Sequence, residues 1–147
     1  MTKNWMIFAV LVASLLIGAC STQKKNKQMT AAGTLENVTW RLVELNGKSV
    51  AEQINGKVPS LKLMSEDKRY AAVTGCNGIG GNYTASEGNL LSFSAGMSTK
   101  MFCEGAMEVE DGLSKVFPLV YGYEMKADRL VLKDGEGKKL AEFTLMP

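Results

Sequence analysis

Ser98 and Lys100 stand two residues apart, and Glu104, Glu108 and Asp111 recur at four and seven. These are spacings at which side chains can meet to do chemistry. Along a strand, residues two apart share a face, so Ser98 and Lys100 would form the serine–lysine pair of a hydrolase. Along a helix, residues four apart do so, and the three carboxylates could divide into an acid and a base. Both patterns also describe an ordinary wet surface. The chain of 147 residues has no histidine, which removes Ser-His and Cys-His nucleophile pairs. Two cysteines without histidine are a poor zinc donor set, because four ligands are normally required. Asp134-Gly135-Glu136-Gly137 lacks the twelve-residue ligand sequence of a calcium loop. The glycine-rich stretch from Thr74 to Tyr83 has no Gly-Lys followed by Ser or Thr, so it is not a phosphate loop. The reading is of a protein that is not an enzyme and carries no metal or cofactor.

The remaining chemistry belongs to three cysteines. Lys3 precedes an apolar run over residues 6–18, too short for a membrane-spanning helix of about 20 residues. Ile17 is followed by the small pair Gly18-Ala19 directly before Cys20. This arrangement resembles a bacterial lipoprotein signal, with residues 1–19 as the signal peptide and Cys20 as the acylated first residue of the mature chain. Acyl chains such as palmitate contribute about 0.8 kcal/mol per buried methylene, and stable anchoring takes more than one. Ser21, in place of the Asp that often marks inner-membrane retention, points to an outer-membrane anchor facing the periplasm. In that oxidising compartment Cys76 and Cys103 are left as a pair, and a disulfide is the default. Two free thiols or a metal site are the alternatives.

Residues 20–33 are polar, lack apolar periodicity and include Lys24, Lys25 and Lys27, the composition of a flexible tether. The whole chain has 17 basic and 15 acidic residues. Without Lys3, Lys24, Lys25 and Lys27 the balance is 13 to 15, so residues 34–147 carry a net charge of −2. A nearly neutral domain excludes the clustered basic surface of a nucleic-acid binder. The expected partners are the membrane, through the lipid, and a protein bound by a monomeric domain.

Residues 34–147 suffice for one domain with a real core. Val38, Trp40 and Leu42 alternate with polar residues, as do Leu61 and Leu63, Tyr70 to Thr74, Leu91 and Phe93, Leu130 and Leu132, and Ala141, Phe143 and Leu145. Asn46-Gly47, Asn55-Gly56, Gly88-Asn89 and Asp134-Gly135 supply turns. Ala106, Val109, Leu113, Val116, Phe117 and Val120 instead follow helical spacing, with Glu104, Glu108, Glu110 and Asp111 near the favourable N-terminus and Pro118 ending the helix near Val116. The pattern predicts an α+β domain: a mostly antiparallel sheet of six to eight strands with one amphipathic helix packed on it. Met97, Met101 and Met107 read as fillers of irregular core gaps, with a permissive binding surface as the alternative, and Trp40 and Tyr83 as packing residues rather than a ligand platform.

Trp40-Arg41-Leu42, Gly75-Cys76-Asn77 with Gly80-Gly81-Asn82-Tyr83, and Met97-Ser98-Thr99-Lys100-Met101-Phe102-Cys103 with Met107-Glu108 resemble the META domain family of HslJ-like heat-shock and envelope proteins. The resemblance covers almost everything from Leu35 to Met146. It implies no established catalytic chemistry and a role in envelope stress or drug tolerance. Where many members have Pro after the second cysteine, this chain has Glu104-Gly105. For a partner-binding or protease-inhibiting role, the turn formed by Asn77, Gly78, Ile79, Gly80, Gly81 and Asn82 is the candidate exposed loop. A small-ligand or hydrolytic site within the sheet is the competing function.

Overall fold

The computed structural model describes residues 33–147, so the expected signal peptide, the expected lipidation at Cys20 and the expected tether as far as Ala32 lie outside the described residues. Ten strands form: β1 (Thr39–Leu45), β2 (Lys48–Ser49), β3 (Ser60–Met64), β4 (Arg69–Val73), β5 (Gly78–Ser86), β6 (Leu90–Phe93), β7 (Met97–Ser98), β8 (Gly122–Lys126), β9 (Arg129–Lys133) and β10 (Lys139–Leu145). Between β7 and β8 lie one helix, α1 (Met107–Val116), and a 3-10 turn (Phe117–Leu119).

Every pairing is antiparallel, and the sheet closes on itself. The ring runs β1-β3-β4-β5-β6-β8-β9-β10, and β10 returns to β1 with Trp40 opposite Leu145 and Leu42 opposite Phe143. The alternation seen in the sequence explains the closure. Trp40, Leu42, Leu61, Leu63, Leu91, Leu130, Leu132 and Phe143 all point inward and are almost fully buried, and a barrel buries one face of every strand while leaving its main ring without free edges. Each such side chain contributes about 1.5–3 kcal/mol by leaving water. The expected α+β composition stands in broad terms, but the architecture differs from an open sheet of six to eight strands: eight strands make a closed barrel, with β2 and β7 added at its rim.

Asn46 and Gly47 both take positive φ in the turn that joins β1 to β2, as a tight hairpin requires. The weakest seam is between β6 and β8, where Leu90 opposite Gly122 is the single register pair. Above it the 3-10 turn takes the place of a strand, and Phe117 packs against Phe93 at 4.8 Å and Tyr70 at 5.2 Å between ring centres.

The helix begins and ends where its pattern predicts, with Pro118 as the second residue of the 3-10 turn that follows it. It covers the end of the barrel at which β1 and β4 finish and β5 begins, rather than lying on a sheet face. Val109, Leu113 and Val116 face the interior. Gly112 permits this close seat, since a Cβ there would come within 2.5 Å of Leu45 Cδ2. At the opposite pole Leu35 closes the barrel beneath Trp40, whose Nε1–H donates to the Leu35 carbonyl at 3.0 Å.

Candidate functional site

The helix-capped pole is organised by Asn77, which is 2 % exposed. Its Nδ2 donates to the Met101 carbonyl at 2.8 Å and to Glu110 Oε2 at 2.6 Å. Its Oδ1 accepts from the Met101 N–H and the Thr99 hydroxyl, both at 2.9 Å. The Asn77 N–H donates to Thr74 Oγ1 at 3.1 Å, which locks the turn entering β5. One amide thus binds the strand entry, the helix and the segment between β7 and α1. This also explains a buried acid on the inner face of the helix: the Glu110 carboxylate accepts from the Asn77 amide, which satisfies it away from water. Next to this amide, Cys76 and Cys103 form a disulfide with Cα atoms 5.7 Å apart. It closes a loop of 27 residues and in the chain-entropy account stabilises the fold by roughly 3–4 kcal/mol.

Segment 97–103 is therefore fixed at both ends and from behind. Its side chains nevertheless point into water: Met97 is 81 % exposed, Met101 55 % and Phe102 84 %. This overturns the reading of Met97 and Met101 as core fillers. β7 ends at Ser98, so strand alternation does not extend to Met101, and the inward position at residue 101 is occupied by its main chain bonded to Asn77. Val73, Leu119 and Tyr121 are the other large apolar residues exposed towards this pole. Pro118 and Ser98 line the same small cavity of about 60 Å³, which brings the 3-10 turn alongside β7.

The six residues expected as an exposed loop lie elsewhere. Gly78, Ile79, Gly80, Gly81 and Asn82 belong to β5, and Asn77 and Ile79 are buried. Gly81 is needed because the Tyr70 ring lies across it, and a Cβ would approach Tyr70 Cε1 to 2.8 Å. As a loop the assignment is corrected: the exposed segment at this pole is 97–102, and Asn77 supports it from beneath. The signal that could have revealed this is Lys100-Met101-Phe102, whose charge and adjacent bulky residues fit no single buried face.

Other candidate groups separate. Ser98 lines the small cavity, Lys100 is exposed beyond the end of β7, and no hydrogen bond joins them. Glu104, Glu108 and Asp111 are all exposed. Glu108 pairs with Lys48 at 2.8 Å across the mouth of a groove of about 640 Å³ between α1 and residues 45–54. That hydrogen bond and the opposite charge hold the Glu108 carboxyl below its usual range and raise Lys48. Leu45, Val50, Ile54 and Val109 line the groove. Asp134 Oδ1 accepts from the N–H groups of Glu136 and Lys138, so the acidic turn closes the β9–β10 hairpin. Gly105, at the departure from the Pro pattern, takes φ +78° in the turn before the helix.

At the far pole the Tyr83 hydroxyl donates to Glu36 Oε1, which also receives Lys68 Nζ at 2.7 Å. Lys68, then Tyr83, hold the Glu36 carboxyl below its ordinary value, while burial and the adjacent carboxylate push the Tyr83 phenol well up. The Trp40 and Tyr83 side chains are buried, as packing residues should be.

An eight-stranded antiparallel barrel, capped by one helix and stapled beside an exposed apolar segment, defines the class of this domain. The META domain pattern matches residues 33–146, and the chain belongs to the META domain family. Among solved structures it is similar to a protein from Burkholderia xenovorans determined by NMR, at 22 % identity over 76 % of this chain and 83 % of that one, with a TM-score of 0.59. A second NMR structure gives 20 % identity, 75 % and 91 % coverage and a TM-score of 0.59. A DUF4847 family protein from Bacteroides vulgatus gives 13 % identity, 73 % and 91 % coverage and a TM-score of 0.52. These likenesses concern the fold. No curated protein matches the chain.

Proposed function

We propose that this protein is a non-enzymatic envelope lipoprotein, anchored through Cys20 to the outer membrane and facing the periplasm, whose META domain binds a protein partner in envelope stress or drug tolerance. The observation that carries this reading is the pinned segment 97–102, where Met97, Met101 and Phe102 stand in water on a backbone tied down by Asn77 and the disulfide. Large exposed apolar side chains grouped at one pole mark an interaction surface, and fixing them beforehand lowers the entropy that binding must overcome. The apolar run ending in Ile17-Gly18-Ala19-Cys20 supports the anchor.

The test is chemical crosslinking in intact envelope, comparing the native protein with Cys20→Ala and with a Met97→Ser/Phe102→Ala double variant. A partner that couples to the native chain and is lost from the double variant supports the reading. Equal coupling of the double variant defeats it. Incorporation of labelled palmitate that disappears in Cys20→Ala checks the anchor separately.

The groove between α1 and residues 45–54 favours a second reading, a small ligand with an apolar body and a charged end that meets Lys48 or Glu108. A ligand-dependent rise in melting temperature that is abolished by Val109→Asp would support it.

A further inference from the structure

The main chain of segment 99–102 is used in alternation. The Thr99 N–H donates to the Gly78 carbonyl at 3.3 Å, and both the N–H and the carbonyl of Met101 are taken by Asn77. Lys100 and Phe102 have no internal main-chain hydrogen bond among the described residues. Residues 99–103 contain no helix, turn or bend. The outward main-chain groups at positions 100 and 102 are therefore free to pair with a partner strand, the mode by which extended peptides are recognised. Phe102 offers the partner an aromatic side chain that is 84 % exposed.

We infer that segment 100–103 is a substrate-like loop that occupies the active-site cleft of a serine endopeptidase, with Phe102 in a deep apolar specificity pocket and Lys100 pairing with the enzyme's edge strand. This rests on the partner-binding reading and names the partner's class. Attack of the enzyme's serine on the Phe102 carbonyl breaks the Phe102–Cys103 C–N bond and forms an acyl-enzyme ester, with the serine's proton passing to the Cys103 amine. The two sides of that bond are tethered independently. Met101 is held by Asn77, and Cys103 by its sulfur to Cys76. The amine stays beside the ester and reverses the reaction, re-forming the peptide and releasing the serine hydroxyl, so the loop blocks the enzyme instead of being consumed. Asn77 is a positioning residue in this account.

The experiment titrates the oxidised protein, with Cys20→Ala to keep it in solution, against chymotrypsin, subtilisin and trypsin. Expected are competitive inhibition of chymotrypsin and subtilisin below about 1 µM, an approximately 100-fold loss with Phe102→Ala, and transfer of inhibition to trypsin with Phe102→Lys. Asn77→Ala with the disulfide intact, judged folded by circular dichroism, becomes a substrate cut after Phe102. Full activity of chymotrypsin and subtilisin at about 100 µM protein, well above that range, overturns the inference, as does cleavage of the native loop without inhibition. Binding to phospholipid vesicles that Phe102→Ala abolishes, without inhibition, also overturns it in favour of a lipid surface. If the proteases are unaffected but the crosslinked partner is still lost from the Met97→Ser/Phe102→Ala variant, this inference fails and the partner-binding reading stands.

Discussion

The two poles of the barrel solve opposite problems. At the far pole, Leu35 sits under Trp40, and Glu36, Tyr83 and Lys68 satisfy one another, so apolar groups are hidden and charges paired. At the helix pole, a covalent bond and a fully engaged buried amide keep methionine and phenylalanine out in solvent. Exposed apolar side chains offer the isolated domain little stability, while the network beneath them is costly to assemble. The contrast teaches that burial and covalent or polar fixation are separable: one pole hides its apolar groups, the other fixes the backbone beneath exposed ones.

The largest effect that could break this comparison is at the disulfide. Replacing Cys76 and Cys103 by serine should lower unfolding free energy by roughly 3–4 kcal/mol, read by urea titration. A loss below about 1 kcal/mol, far under that chain-entropy figure, would mean that the staple does not hold the pole. Asn77→Ala comes next, at about 2–3 kcal/mol, because it strands the Glu110 carboxylate and the Met101 main chain.

The far pole should show itself through pH. Glu36 is held below its usual value in the fold, so it binds its proton less readily there than when unfolded. Its contribution is complete above the unfolded carboxylate pKa and is lost as pH falls through the lowered folded one. Glu36→Gln should therefore remove under about 1 kcal/mol at neutral pH and flatten the acid limb of a stability–pH curve. An unchanged acid limb would contradict the assignment. The smallest effect belongs to Phe102→Ala, expected within about 0.5 kcal/mol despite the loss of an aromatic ring. A loss like that of a buried phenylalanine, about 3–5 kcal/mol, would show the segment folded inward and erase the contrast between the poles.

Strand alternation and helix spacing made much of the core legible: Trp40, Leu42, Leu61, Leu63, Leu130 and Phe143 are buried, and the helix face is the one its spacing defines. Closure was not legible, because pairing of β1 with β10 joins residues about a hundred positions apart, and local periodicity carries no information on such contacts. The site was half visible. Cys76 and Cys103 stood out by type, yet Asn77 was read with Gly78 to Asn82 as an exposed loop because glycines so close together suggest a turn. Those glycines instead make room within β5, most clearly at Gly81 under the Tyr70 ring. Met101 misled for a related reason: the alternation that starts in β7 stops at Ser98, and at residue 101 the main chain, not the side chain, is bonded inward to Asn77.

The join between β1 and β10 also bears on when the domain can take shape. Trp40 finds its cross-strand neighbour Leu145 only after the final strand has emerged, so a chain still threading through a pore or leaving the ribosome cannot complete its ring. Assembly must wait for β10, and such distant pairing is slow, which leaves the ring open until that strand is available.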